Sequence, residues 1–393
     1  MLYSGQAVAE RGYYEDRCAE LHADACFGLG LIDLIDGYQT LARSLYRHGA
    51  TAPQSSAAAM FLGLESDLTP RTSGNADPEP LTYDGLRTIL ATFVADLDRA
   101  GEGFELAAAA DDYVVLIDPL RVRVDLDGDG EADESETLAL LLRDLQDFDA
   151  LAPRDKTKGK TATLDLSIGF DRADAIWLAG YSQVAAIPFD FMLSHDFSQF
   201  YDAVLHRVFP KAGLPMQDFA SSSGSLFLDR ESDALLADMI AAIHEASFPV
   251  VDARRLAGVL ERMRMVTALS RQNWDAILAE TDDNRELVPS PKQTSIFPQV
   301  EVTQEVVDAW MSTLDTVDLL LAGDLLVPHW RFEQGISLKA YFETAMETDI
   351  VLLLTGQGAL PFLRDGPAAD ESSFEAGNSV FGENWPNFIV WFN

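Results

Sequence analysis

Apolar positions return at three- and four-residue steps along most of this chain, the spacing of helices that bury one stripe. From about Glu15 to His48 the stripe is Leu21, Ala25, Gly28, Leu29, Ile32, Ile35, Leu41, Leu45 and Tyr46, with Gly49 placed as a C-cap. Thr82 is the predicted N-cap of a second helix carrying Leu86, Ile89, Leu90, Phe93, Val94 and Leu97 and ending near Gly101. Between Asp171 and His195 the interior is almost wholly apolar, interrupted by Gly180, Pro188 and Asp190. It falls short of the ~20 clean residues of a membrane span. A helix apolar all round belongs at the centre of a bundle, and Pro188 is expected to kink or end it. Further helices are predicted over 197–208, 230–247, from Asp252 through Leu256, Leu260, Trp274 and Ile277, from Thr303 to Gly323, and over 337–346. Ile350–Leu354 fits either a buried strand or a helical turn. The pattern predicts a mainly α protein, a multi-helix bundle.

The periodicity breaks between Tyr113 and Val124, where β-branched residues, Pro119 and the alternation Arg121-Val122-Arg123-Val124 predict extended chain. Directly after it runs Asp125-Leu126-Asp127-Gly128-Asp129-Gly130-Glu131-Ala132-Asp133-Glu134-Ser135-Glu136. Acids stand at positions 1, 3 and 5, glycine at 6, an acid at 9 and glutamate at 12. Calcium takes six to eight hard oxygens, and a loop wound around it needs a φ > 0 turn at the sixth residue. These twelve residues resemble an EF-hand calcium loop. The resemblance implies Ca2+ held by Asp125, Asp127, Asp129, Glu131 through its carbonyl, Asp133, and Glu136 through both carboxylate oxygens. The competing reading is a solvated acidic turn. Thr137–Leu151 has leucines at helical spacing, so the unit is strand–loop–helix. A sensor needs a pair of helices to open, and the expected ion is therefore structural. The remainder of the chain resembles helical bacterial proteins of unknown role.

Composition narrows the company this chain keeps. Its 64 acids against 28 bases give a formal charge of −36, which repels nucleic acid and anionic membranes. Met1–Glu20 is polar, without the apolar segment of a signal peptide. Single extracellular calcium modules bind at about 10⁻⁴–10⁻³ M, and on that ground a periplasmic or secreted location is expected. Cys18 and Cys26 fall inside the first predicted helix, where eight residues separate Cα atoms by about 12 Å, too far for a disulfide. Two free buried thiols are the expectation, since a bridge would require the helix to break. A basic run, Arg154, Lys156, Lys158 and Lys160, marks the expected boundary between an N-terminal region 1–153 and a C-terminal region 164–393 that can pack as one domain. The run itself reads as a solvated loop.

Two other polar groups could carry chemistry. Arg271, Trp274, Glu280, Asp282, Asp283, Asn284, Arg285 and Glu286 surround the end of one helix, and Pro328-His329-Trp330-Arg331-Phe332 places a histidine among aromatics. An acid-rich hydrolase would use Glu280, Asp282 or Asp283 near His329, provided that they converge on one pocket. The structural alternative is helix capping and ion pairing for the acids, and a satisfied core histidine. HExxH, GxHxxE of the imelysin-like peptidases, GxSxG, Walker A and GxGxxG are all absent. The apolar tail Trp385–Asn393 could dock on a protein partner or a second copy, or fold back on its own core. The sequence is best read as a calcium-stabilised, extracytoplasmic helical binding or accessory protein without catalysis of its own.

Overall fold

The computed structural model describes residues 2–5, 7–51, 75–110, 113–125, 128, 130, 132, 136–137, 167–217, 229–281, 283, 285–294, 302–382 and 385. Outside these fall Asp127, Asp129, Glu131 and Asp133, the expected helix beyond Thr137, the basic run 154–160 with its proposed boundary, Asp282, Asn284 and the tail from Pro386. The described chain is mainly helical, with little sheet.

The first predicted helix is in fact two. Helix α1 (Arg11–Ala19) and helix α2 (Ala23–Arg47) meet at a sharp turn. Leu21 adopts a left-handed φ of 65° there, its N–H bonding the carbonyl of Cys18, while the N–H of His22 bonds that of Arg17. This is the Schellman arrangement with leucine in the place usually given to glycine. The reversal brings the Cα atoms of Cys18 and Cys26 to 4.6 Å, and the two are disulfide-bonded. The expectation of two free thiols is thereby corrected: it assumed one unbroken helix, and the helix breaks between them. Arg11 adds a second tie from α1 to α2 through the buried Asp33, Nε to Oδ1 at 2.8 Å.

Helix α2 crosses helix α3 (Tyr83–Ala107) closely because both carry glycine at the crossing; a Cβ on Gly103 would sit 2.9 Å from the Gly30 Cα. Thr82 caps α3 as predicted, accepting the N–H of Gly85 at 3.0 Å, but the helix runs through Gly101 and Gly103 to Ala107. Burial of Phe104 and Ala107 carries it past the expected stop. Strand β1 (Val115–Ile117) pairs antiparallel with strand β2 (Ile168–Phe170), Ile117 opposite Ile168.

Helix α4 (Arg172–Leu193) follows β2 and lies between α3 and helix α7 (Ala253–Ala279). By length and apolar composition alone α4 is long enough to cross a membrane. In the fold it is the core helix, with Ala175, Ile176, Ala179 and Ala186 buried. Pro188 does not end it. The three helices are stitched by Arg262 of α7, which reaches Asp190 and Gln183 of α4 at 2.6 Å each and Asp98 of α3 at 2.7 Å. Arg87 of α3 donates to the Leu193 and His195 carbonyls at the C-terminal end of α4, both at 2.7 Å, where a cation also suits the helix dipole.

Short helices α5 (Ser198–Val204) and α6 (Arg230–His244) complete one flank. Helix α8 (Gln304–Ala322) starts at Thr303 and stops at Gly323 as predicted, and Trp310 donates to Ser270 of α7 at 2.9 Å. Strand β3 (Ser247–Pro249) pairs with β5 (Glu347–Asp349), and β4 (Gly335–Ile336) with β6 (Leu363–Arg364), ladders too short to show in the periodicity. Between them lie helices α9 (Leu338–Thr344) and α10 (Ile350–Thr355). Ile350–Leu354 is thus a helical turn, with Leu354 largely exposed. Helix α11 (Glu375–Phe381) receives Trp385, whose ring meets Phe381 and whose Nε1 donates to Asn378 at 3.0 Å.

The bridge closes a short loop, for which chain-entropy arguments give roughly 2–3 kcal/mol. The Cys18→Ser/Cys26→Ser double variant is expected to lose about that much in urea unfolding, while a midpoint equal to that of the parent would show that the turn at Leu21 forms unaided.

Candidate cation loop and acidic cleft

The chain leading into the EF-hand-like segment leaves β1 through one 3-10 turn (Pro119–Arg121). Val122 and Val124 are buried, and Arg123 bridges Thr137. The N–H of Val124 bonds the Glu136 carbonyl at 3.0 Å, so the two ends of the loop are closed on each other. Asp125 is 1% exposed. Its Oδ1 accepts the N–H of Gly128 at 2.8 Å and its Oδ2 that of Gly130 at 3.0 Å. Gly128 and Gly130 stand at φ of 78° and 101°, where side chains are disfavoured. At the other end Glu136 is also buried. The first and twelfth residues of the template are therefore buried carboxylates at a closed loop neck, a donor chemistry that suits a hard cation.

Two elements grip this loop. A Cβ on Gly128 would fall 2.5 Å from the Ala42 carbonyl oxygen, so the chain lies directly on α2. From α2 Arg43 donates Nε to Asp125 Oδ2 at 2.6 Å. The N-terminal segment lies on the other side: Gly5 meets Ala132, and the Leu2 carbonyl accepts the N–H of Arg123.

A second acidic site sits where the N-terminus of α4 meets the C-terminus of α7. Carboxylate oxygens of Asp171, Glu280 and Glu286 all lie within 4.8 Å of one another. Asp171 is there because it caps α4, accepting the N–H of Ala173 at 2.8 Å, while Asp174 returns the bond to the N–H of Asp171 at 3.0 Å. Glu286 is brought in by the turn at Arg285, which has φ 69° and is pinned to β2: its carbonyl accepts the N–H of Gly169, and its Nε donates to the Ser167 carbonyl. Gln293 donates to Glu280 at 2.8 Å. The adjoining cleft, about 500 Å³, is lined by Tyr113, Asp171, Arg172, Gln272, Asp275 and Glu280 among others. Burial, and then the neighbouring charge of Asp171, push the Asp174 carboxyl well above the usual range, with Glu286 and Glu280 adding to the rise. Three carboxylates this close repel one another unless a proton or a hard cation lies between them.

Of the described members of the predicted group, the structure brings Glu280 and Glu286 together and places Arg271, Trp274 and Asp283 apart from them. Asp283 caps a turn through the N–H of Thr294, Trp274 is core, and Arg271 leaves the group to pair with Asp315 and Asp318 of α8 at 2.8 Å each. His329 is placed elsewhere, its Nε2 at the Leu353 carbonyl and its ring against Trp330 and Phe332. Asp171 and Asp174 were not singled out from sequence. The Asp-x-x-Asp box ahead of an apolar helix is the signal that marks them.

A carboxyl raised in the fold supports folding fully below its unfolded value of 3.8, and that support is lost as the pH rises through the folded value. Asp174→Asn, an isostere of the protonated acid, should therefore melt at a higher temperature than the parent near neutral pH, with the difference shrinking toward pH 4. A lower melting temperature at neutral pH would mean that the charge itself is needed. No protein-family model, no curated protein and no solved structure matches this chain.

Proposed function

We propose that the protein is a calcium-stabilised, extracytoplasmic helical binding or accessory protein in which the ion has a structural role. The observation that carries this reading is the Asp125 carboxylate, buried at the loop neck and holding the N–H groups of Gly128 and Gly130. The residues that would hold the ion are Asp125, Asp127, Asp129, Glu131 through its carbonyl, Asp133 and Glu136. A bound divalent cation supplies charge neutralisation for acids crowded into twelve residues. The chain's own residues do the rest: Val124 and Glu136 close the neck, and α2 and the N-terminal segment fix the flanks. The Cys18–Cys26 bridge supports an oxidising location, periplasmic or secreted. The charge of −36 argues against nucleic acid as a partner.

A second reading is favoured by one observation, the convergence of Asp171, Glu280 and Glu286 beside a cleft. It makes the protein an acid-rich hydrolase whose acid–base carboxyls belong to that cluster, without His329. Docking through the C-terminal tail gains less support, since Trp385 packs on its own helix.

Calcium at a hundred times its dissociation constant stabilises a folded protein by about 2.7 kcal/mol. The melting temperature is accordingly expected to rise on adding calcium to chelator-treated protein, and an unchanged melting curve would count against the loop as an ion site. Glu136→Gln removes a charge and a strong ligand oxygen, and calorimetric titration should show calcium binding weakened by at least about tenfold, a loss of ~1.4 kcal/mol.

A further inference from the structure

Among the described residues, Asp125 is already hydrogen-bonded through both carboxylate oxygens. A carboxylate offers about four lone-pair sites. Oδ2 has two partners, the N–H of Gly130 and Arg43 Nε, and Oδ1 has one, the N–H of Gly128. The guanidinium belongs to α2 and is itself positioned, since Arg43 Nη2 reaches Gln39 Oε1 at 3.4 Å one turn earlier. It meets a carboxylate side chain that is fully buried, while the Arg43 side chain is itself 38% exposed, so water and salt screen the pair only in part.

We propose that Arg43 is an intrinsic counter-cation of this loop, one that competes with a divalent ion for Asp125 and so lowers the loop's affinity for calcium. The proposal rests on the reading of residues 125–136 as a calcium loop. An ion coordinated by Asp125 would share one carboxylate with a guanidinium, two positive charges a few ångströms apart. Alternatively Arg43 must leave, giving up a charge-assisted hydrogen bond at 2.6 Å. Either route weakens ion binding. In the absence of the ion the same pair keeps Asp125 compensated and the loop seated on α2, where Gly128 already touches the Ala42 backbone. The ion then adds to a loop whose seat exists without it.

The test is calorimetric titration of the full-length, chelator-treated protein with calcium chloride, comparing the parent with Arg43→Gln and Arg43→Lys, and thermal melts of all three in EDTA. Arg43→Gln is expected to bind calcium about tenfold more tightly than the parent and to melt at a lower temperature in EDTA, so that its gain on adding calcium is the larger. Arg43→Lys keeps a charge on a flexible stem without the guanidinium fork, and should shift in the same direction by less; it decides the matter if Arg43→Gln does not fold. A parent that binds calcium together with variants of equal or weaker affinity would overturn the competition while leaving the loop reading intact. A parent that binds no calcium at millimolar concentration would overturn both.

Discussion

The burial of helix α4 constrains everything around it. Helix α4 is apolar over most of its twenty-two residues and is exposed only at Arg172 and along a row of Val184, Pro188 and Met192, so the rest of it is stable only when covered, and α3 and α7 cover it. Each fully buried large aliphatic side chain contributes about 1.5–3 kcal/mol, and α4 places Ile176, Leu178 and Leu193 in the core beside a series of buried alanines. Its polar ends then have to be satisfied in a dry setting. At the C-terminal end Arg87 takes two carbonyls, and a buried chain runs from His195 through Thr348 to Tyr341, with oxygen and nitrogen partners 2.6–2.7 Å apart. At the N-terminal end the capping box places two aspartates against the turn that carries Glu286. The acidic cleft is a by-product of how a core helix is capped.

Charge is the second constraint, because acids outnumber bases more than two to one, 64 to 28. Arginine is spent where a buried aspartate would otherwise stand alone: Arg11 on Asp33, Arg99 on Asp96, Arg43 on Asp125, and Arg255 with Arg262 on Asp190. The guanidinium fork matches a carboxylate and tolerates partial burial better than an ammonium. Asp174 is handled differently, by a carboxyl held toward its neutral form. Two devices therefore manage buried negative charge in one molecule.

Most helices were legible in the sequence because each is bounded by local chemistry. Thr82, Asp252, Thr303 and Ser337 cap where the stripe begins, and Gly323 ends one in the left-handed region. The misreadings share a cause, which is that tertiary contacts decided them. Nothing local marks Leu21 for a positive φ, yet a disulfide and an Arg11–Asp33 pair hold the reversal there. Gly101 looks like a stop until Phe104 and Ala107 are seen buried beyond it. Of the acidic cleft the sequence indicated Glu280 and Glu286, which are neighbours along the chain. Asp171 comes from more than a hundred positions away, and only the packing of α4 on α7 joins it to them.

The setting of the 125–136 loop bears on what an ion there could do. In a sensor the incoming segment is a helix free to swing. Here it is a strand fixed by three β1–β2 pairings, followed by residues tied to the N-terminal segment through Arg123 and Leu2. On the other side Gly128 rests against the α2 backbone with no room even for a methyl group. A cation bound between such flanks has little to move. Its free energy would go into holding β1, α2 and the N-terminal segment together, where crowded carboxylates would otherwise push them apart. With one partner already supplied by Arg43, the proposed calcium loop would be seated first and filled afterwards, the order that suits a structural ion.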